Sequence, residues 1–328
     1  MIGDRQLLSV AIPAYNESAN LDDLAKRLTA VFDDLADRYD FEVVICENGS
    51  QDDTYERLLD LNDRDPRFKV VQLIRNFHME GGMLAALAHV QGDACVIMSA
   101  DLQDPPEMIP RFIEKWEDGY ENVYTVITRR HGESRFRRTA AALFYWLINR
   151  VSDTPVPKNS SDFRLVSQDA YQAFNSLRER NLMVRAAWGW LGFPSIGIEY
   201  EKPERAGGTS SFNAFATAGF AIRGILASSS NPVKLIPSIG GALSGLSFVS
   251  LLAIVVRAVF FGIPFPGWGT IVSLLLLLFG FLFVMLGMVA EYVDMIFREV
   301  QARPPYLLRG VTGFGNENDE DPGTAGIQ

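Results

Sequence analysis

Four short apolar runs punctuate the first third of the chain: LLSVAI (7–12), FEVVIC (41–46), KVVQLI (69–74) and ACVIM (94–98). Between them lie segments whose apolar residues recur at helical spacing, such as NLDDLAKRLTAVFDDLADRY (20–39). A strand that stays apolar at nearly every position is buried on both faces. Strands alternating with helices therefore predict an α/β fold with a mostly parallel sheet covered on both sides. In such sheets ligands collect at the carboxyl ends of the strands. Four polar loops fall there: PAYNES (13–18), ENGSQDDT (47–54), RNFHMEGG (75–82) and SADLQDPP (99–106). Their convergence on one rim is a stronger signal than any one of them alone.

A chain of 328 residues has room for one large domain and an addition, and its net charge of −10 speaks against nucleic-acid binding. Cys46 and Cys95 sit inside apolar runs and read as buried thiols rather than a disulfide. No metal-binding Cys/His spacing is present, and MIGDRQLLSV at residues 1–10 lacks a long apolar core, so no signal peptide is expected. Hydrophobic residues make up 48%, and the excess lies in the last third: residues 235–256 and 269–290 each run 22 positions without a charge. About 20 apolar residues span a bilayer, so two transmembrane helices are expected, joined by a short aromatic turn. Arg223 and Lys234 precede the first run and Arg298, Arg303 and Arg309 follow the second, against Arg257 alone between them. The positive-inside tendency then places the large domain and both termini in the cytoplasm, on a multi-pass membrane protein. The expected divisions are a large α/β domain at 1–211, an interfacial segment at 212–231, a two-helix hairpin at 232–297 and an acidic, partly disordered tail at 298–328.

Taken singly, the rim loops have bland readings. Asn16 or Ser18 would cap a helix, and Ser50 with Asp53 fits a capping box beside an Asn48-Gly49 turn. Sharper readings exist. Tyr15 offers a face on which a base could stack, Glu47 at the end of the second strand could bond a nucleobase imide, and Asp101, Gln103 and Asp104 could hold a metal against a phosphate.

Together, IPAYNES, ENGSQDDT, RNFHMEGGMLAAL, SADLQDPPEMI, NSSDFRLVS and RAGGTSSF, followed by two apolar runs, resemble the family 2 glycosyltransferases of GT-A (Rossmann-like) fold. Within them the resemblance is to polyprenyl-phosphate glycosyltransferases, the group that includes dolichyl-phosphate mannose synthases and bacterial undecaprenyl-phosphate glucosyltransferases. It implies inverting transfer from a nucleotide sugar to a polyprenyl phosphate lipid at a membrane, by a homo-oligomer. Pro13, Tyr15, Glu17, Glu47, Arg75 and Ser99 would bind the nucleotide, and Asp101 and Gln103 would ligate Mg²⁺ or Mn²⁺ on the donor diphosphate. Asp162, with Asp101, would be catalytic, as base or acceptor positioner. Arg129, Arg130, Arg137, Arg138, Arg164, Arg205 and Ser210 would bind the acceptor or the diphosphate, with Arg135 in the same basic stretch.

The chain departs from the family pattern at several points. Ser99 stands where relatives commonly carry an aspartate, and Glu47-Asn48 where they read Asp-Asp. Ile127 stands for an arginine, and Ser211 for a basic residue. Losing one carboxylate predicts weaker metal binding or altered ribose contact. Glu47 retains an acceptor for uracil, so a UDP-sugar is expected ahead of GDP-mannose. Two other readings compete: a processive synthase, for which no Q-x-x-R-W motif is present, and a catalytically degenerate scaffold or regulatory subunit.

Overall fold

A computed structural model describes residues 5–129, 160–177, 184–201 and 267–315, with single positions at 245, 249, 256 and 260. These fall into two units: the first contains every described strand, and the second contains one long helix.

In the first unit the four apolar runs are strands, β1 (Gln6–Ala14), β2 (Tyr39–Glu47), β3 (Phe68–Leu73) and β4 (Ala94–Ile97). They join β5 (Asn122–Arg129), β6 (Ser160–Ser167), β7 (Ser195–Glu201) and β8 (Leu308–Thr312) in an eight-stranded sheet ordered β7-β5-β6-β4-β1-β2-β3-β8. β1 pairs in parallel with β2 and β4, β2 with β3, and β5 with β7. β6 and β8 run antiparallel to their neighbours. The mostly parallel α/β expectation holds.

The chain lays down β1, β2 and β3 in one direction and then crosses back to place β4 on the other side of β1. That reversal opens a crevice at the carboxyl ends of β1 and β4, where a doubly wound sheet binds its ligand.

Helices cover both faces. On one side are α1 (Leu21–Leu35), α2 (Thr54–Arg64) and α4 (Ile109–Glu117). On the other are α3 (His78–Ala88), α5 (Gln168–Asn175) and α6 (Val184–Leu191). α1 buries Leu21, Leu24, Leu28, Val31 and Phe32, a stripe at helical spacing, and Asp22 and Asp23 favour its positive N-terminal end. Val10 and Ile12 face the α1 layer while Ala11 faces the α3 layer, so β1 is buried from both sides. That double burial is why its sequence shows no polar alternation.

The segment 298–328 is more than a tail. Arg298–Gln301 end the long helix, and residues 308–312 form β8 on the open edge of β3, with Ile74 N–H donating to the Leu307 carbonyl at 3.1 Å. Tyr306, Leu308, Val311 and Phe314 pack on the core of the α3 layer. The catalytic domain thus takes a strand from beyond residue 300, which the boundary at 211 leaves out.

In the second unit α7 (Trp268–Gln301) is 34 residues long. Among the described residues it is the one helix long and apolar enough to cross a membrane, its candidate span being Leu278–Gln301. Phe279, Phe283, Leu286, Val293 and Phe297 are all exposed along it. The first expected span, 235–256, lies almost wholly outside the described residues.

Candidate active site

Each of the four rim loops contains one residue in the left-handed region: Asn16 (φ 54°), Gly49 (φ 68°), His78 (φ 63°) and Leu102 (φ 60°). Three of them carry side chains, at a cost of roughly 1–2 kcal/mol each. Strain in three of the four loops on one rim of a sheet, held there by specific bonds, points to a functional site.

The loops after β1 and β2 are laced together. Asn16 N–H donates to Ser50 Oγ at 3.1 Å, Gln51 N–H to Asn16 Oδ1 at 2.7 Å, and Glu17 N–H to Thr54 Oγ1 at 3.0 Å. Ser50 therefore serves the neighbouring loop, and α2 begins at Thr54 without the Ser50–Asp53 capping box. Glu47 is buried and accepts from its own loop at Ser50 N–H. Gly49 is required by more than its dihedral: a Cβ there would lie 2.5 Å from the Arg75 carbonyl carbon. Tyr15 is 37% exposed on the same rim.

In the loop after β4, Ser99 stands between two carboxylates. Its Oγ lies 2.7 Å from Asp101 Oδ1 and 2.7 Å from Asp104 Oδ2, and its N–H donates to Asp104 Oδ2 at 3.0 Å. Gln103 N–H donates to Asp101 Oδ1 at 3.2 Å. Asp104 is buried and receives Tyr200 Oη from β7 at 3.5 Å. The serine thus supplies a proton where a third carboxylate would add charge. Among the described residues no group of three His, Cys, Asp or Glu side chains is placed to hold a metal ion.

Asp162 is a third element. It leaves β6 towards the α3 layer and takes both forks of Arg185 from α6, Nε to Oδ1 at 2.9 Å and Nη2 to Oδ2 at 2.7 Å. Glu80, in the first turn of α3, has its carboxyl held above the usual range by desolvation and then by the negative charge of Asp162.

Residues 9–174 match Glycosyl transferase family 2. The chain belongs to that family. It is 33% identical over 309 residues to the uncharacterized glycosyltransferase YkcC of Bacillus subtilis, covering 94% of this chain and 95% of that one. It is 32% identical over 302 residues to the bactoprenol glucosyl transferase of Shigella phage SfX, covering 92% and 98%. Against the prophage bactoprenol glucosyl transferase homolog of Escherichia coli it is 30% identical over 304 residues, covering 93% and 99%.

The rim of this glycosyltransferase unites most of the described residues that were singled out in the sequence. Pro13, Tyr15, Glu17, Glu47, Ser99, Asp101 and Gln103 all lie on loops or strand ends after β1, β2 and β4. Arg75 opens the loop after β3, with its guanidinium 4.0 Å from the centre of the Phe77 ring. Arg164 is placed differently. It is 3% exposed, donates to the Ser161 carbonyl at 3.0 Å and lies 5.4 Å over Trp188, so it sits inside the domain rather than on the open rim. Burial pushes its guanidinium down to about 10, still far above neutral, so it remains a cation beside Asp162. Arg129 ends β5. Arg130, Arg135, Arg137, Arg138, Arg205 and Ser210 lie outside the described residues.

Two contributors to the transferase's site, Asn48 and Arg185, were not singled out in the sequence. Asn48 counted only as part of a turn and as a departure from the family pattern, yet it ties the second loop to the third. Asp104, already grouped with Asp101 and Gln103 in the sequence, also anchors Ser99. Arg185 sits in an undistinguished stretch, LMVRAAWG, with nothing in its spacing to point at Asp162.

Proposed function

We propose that this glycosyltransferase moves a sugar, with inversion, from a UDP-sugar to a polyprenyl phosphate at the cytoplasmic face of a membrane. The observation that carries the reading is the placement of two acidic centres. The Ser99–Asp101–Asp104 loop closes the crevice beside β1, and Asp162 stands on β6, the strand next to β4. Two relatives similar over more than nine-tenths of this chain are named bactoprenol glucosyl transferase or its homolog, which supports the lipid acceptor.

The donor's base would stack on Tyr15 with Pro13, Glu17 and Glu47 around it. The donors near its diphosphate are the Asp101 carboxylate, the Gln103 amide oxygen and the Ser99 hydroxyl. All are hard oxygens, a set that suits Mg²⁺ or Mn²⁺. Such a cation, when bound, would neutralise the charge developing on the departing diphosphate.

An acceptor phosphate oxygen forms the new bond to the anomeric carbon as the bond to the UDP oxygen breaks, and one displacement inverts the centre. Asp162 would set the acceptor's line of approach and receive a proton where the acceptor carries one. The phosphate is already anionic near neutral pH, so positioning does most of this work. Arg129, Arg130, Arg137, Arg138, Arg205 and Ser210 would hold the two anionic groups. The uncharged runs 235–256 and 269–290 would both span the bilayer, with the two termini in the cytoplasm.

The test is transfer from a panel of labelled UDP- and GDP-sugars to polyprenyl phosphate in detergent, with Mg²⁺, Mn²⁺ or EDTA. Metal-dependent formation of a lipid-phosphate monosaccharide, absent in Asp101→Asn, is expected. Transfer only from GDP-sugars would overturn the donor assignment, and no lipid product would overturn the acceptor.

A further inference from the structure

We infer that Arg185 is a positioning residue: its guanidinium grips Asp162 edge-on and fixes the direction in which that carboxylate meets the acceptor. The inference rests on the reading that Asp162 serves the acceptor.

Two parallel bonds, 2.9 and 2.7 Å long, lock both the position and the plane of a carboxylate, whereas a single-point cation leaves it free to turn. Both partners stand on fixed backbone. Asp162 lies in β6, between β4 and β5. Arg185 is the second residue of α6, whose Val184, Ala187 and Trp188 are buried in the core. Trp188 also stacks on Phe174 at 4.1 Å. α6 is therefore held by its apolar face whether or not the ion pair forms. The pair itself is partly exposed, 35% for Arg185 and 24% for Asp162, so its own contribution to stability is small. A bidentate geometry that the fold does not need for stability is available for function.

The surrounding charges make the pair consequential. Among the described residues, Asp162 is near Arg164 from its own strand, Arg185 from α6 and Glu80 from the start of α3; His78 adjoins Glu80, and Tyr124 of β5 adjoins Arg164. Among these described residues, the Asp162 and Glu80 carboxylates lie near the Arg164 and Arg185 guanidiniums. Without Arg185, Asp162 loses a cation held at hydrogen-bond distance by two bonds and protonates more readily.

The experiment uses the full-length chain in detergent, comparing Arg185→Gln, Arg185→Lys and Asp162→Asn for transfer kinetics across pH and for thermal melting. Arg185→Gln is expected to lower kcat about ten- to a hundred-fold with the donor KM little changed. It should also raise the acid limb of the kcat profile by about one pH unit or more, because a carboxylate that loses its cation protonates at higher pH. Arg185→Lys should restore the limb, since charge suffices there, but not the full kcat, which needs the fork. Combining Arg185→Gln with Asp162→Asn should cost no more than Asp162→Asn alone. Wild-type kcat and an unmoved acid limb in a folded Arg185→Gln, beside an inactive Asp162→Asn, would overturn the inference alone. An Asp162→Asn chain that transfers normally would overturn the reading of Asp162, and the inference with it. If Arg185→Gln does not fold, Arg185→Lys decides: a reduced kcat supports the inference and a wild-type kcat overturns it.

Discussion

Asn48 donates its side-chain amide to the carbonyl of His78 at 2.7 Å, and the same amide accepts from Phe77 N–H at 2.9 Å. The side chain is buried and uses its donor and its acceptor at once, bridging the loop after β2 to the left-handed residue that opens α3. An aspartate, the residue relatives commonly place here, can accept but, when ionised, cannot donate.

Asn48→Asp is therefore expected to destabilise the chain by about 1–3 kcal/mol, because the His78 carbonyl loses its partner and a carboxylate is buried against it. Thermal or urea unfolding in detergent measures this. Asn48→Ala should cost a similar amount, and a neutral result for both would show that the loops are held by other contacts.

Ser99→Asp should behave oppositely with and without metal. In the apo protein a third carboxylate between Asp101 and Asp104 repels both, so the melting temperature falls. With Mn²⁺ added, the increment in melting temperature should exceed that of the wild type, since binding to the folded state alone stabilises it. Equal metal-induced increments in the two proteins would place the metal away from Ser99.

A chain ending at Ala302 lacks β8 and exposes the edge of β3 together with the apolar surface under Tyr306, Leu308 and Val311. It is expected to lose more than about 2 kcal/mol and to aggregate, as unprotected edges do. A chain ending at Gly315 should melt like the full protein. Light scattering and thermal melting distinguish the two.

Acid should unfold the catalytic domain partly through two carboxylates. The Arg67 guanidinium holds Asp65 below its ordinary range, and Arg27 does the same for Glu107. Each contributes stability that is present above its unfolded pKa, near 4, and lost as pH falls through the lower folded value. Asp65→Asn and Glu107→Gln should flatten the fall in stability below about pH 4 and leave the slope above pH 5 unchanged. Denaturation midpoints between pH 2.5 and 7 test this.

The sequence by itself determined the four parallel strands, the helix stripes between them, the rim on which the polar loops meet and the long apolar character of the C-terminal third. These follow from local rules, since an unbroken apolar run must be buried on both faces and helical spacing must bury one stripe. The sequence also marked Asp101, Gln103 and Asp162, because their neighbours form recognisable motifs. Only the tertiary structure decided the partners. Arg185 meets Asp162 across 23 positions and Asn48 reaches Phe77 across 29, while β8 returns to β3 from more than 230 residues away. It also turned Arg164 inward, since alternation along β6 puts that residue on the buried α3 side beside Trp188. A polar side chain's spacing in the chain says nothing of what it will meet. Strand order and register choose its partner, and they are set by the packing of the whole sheet.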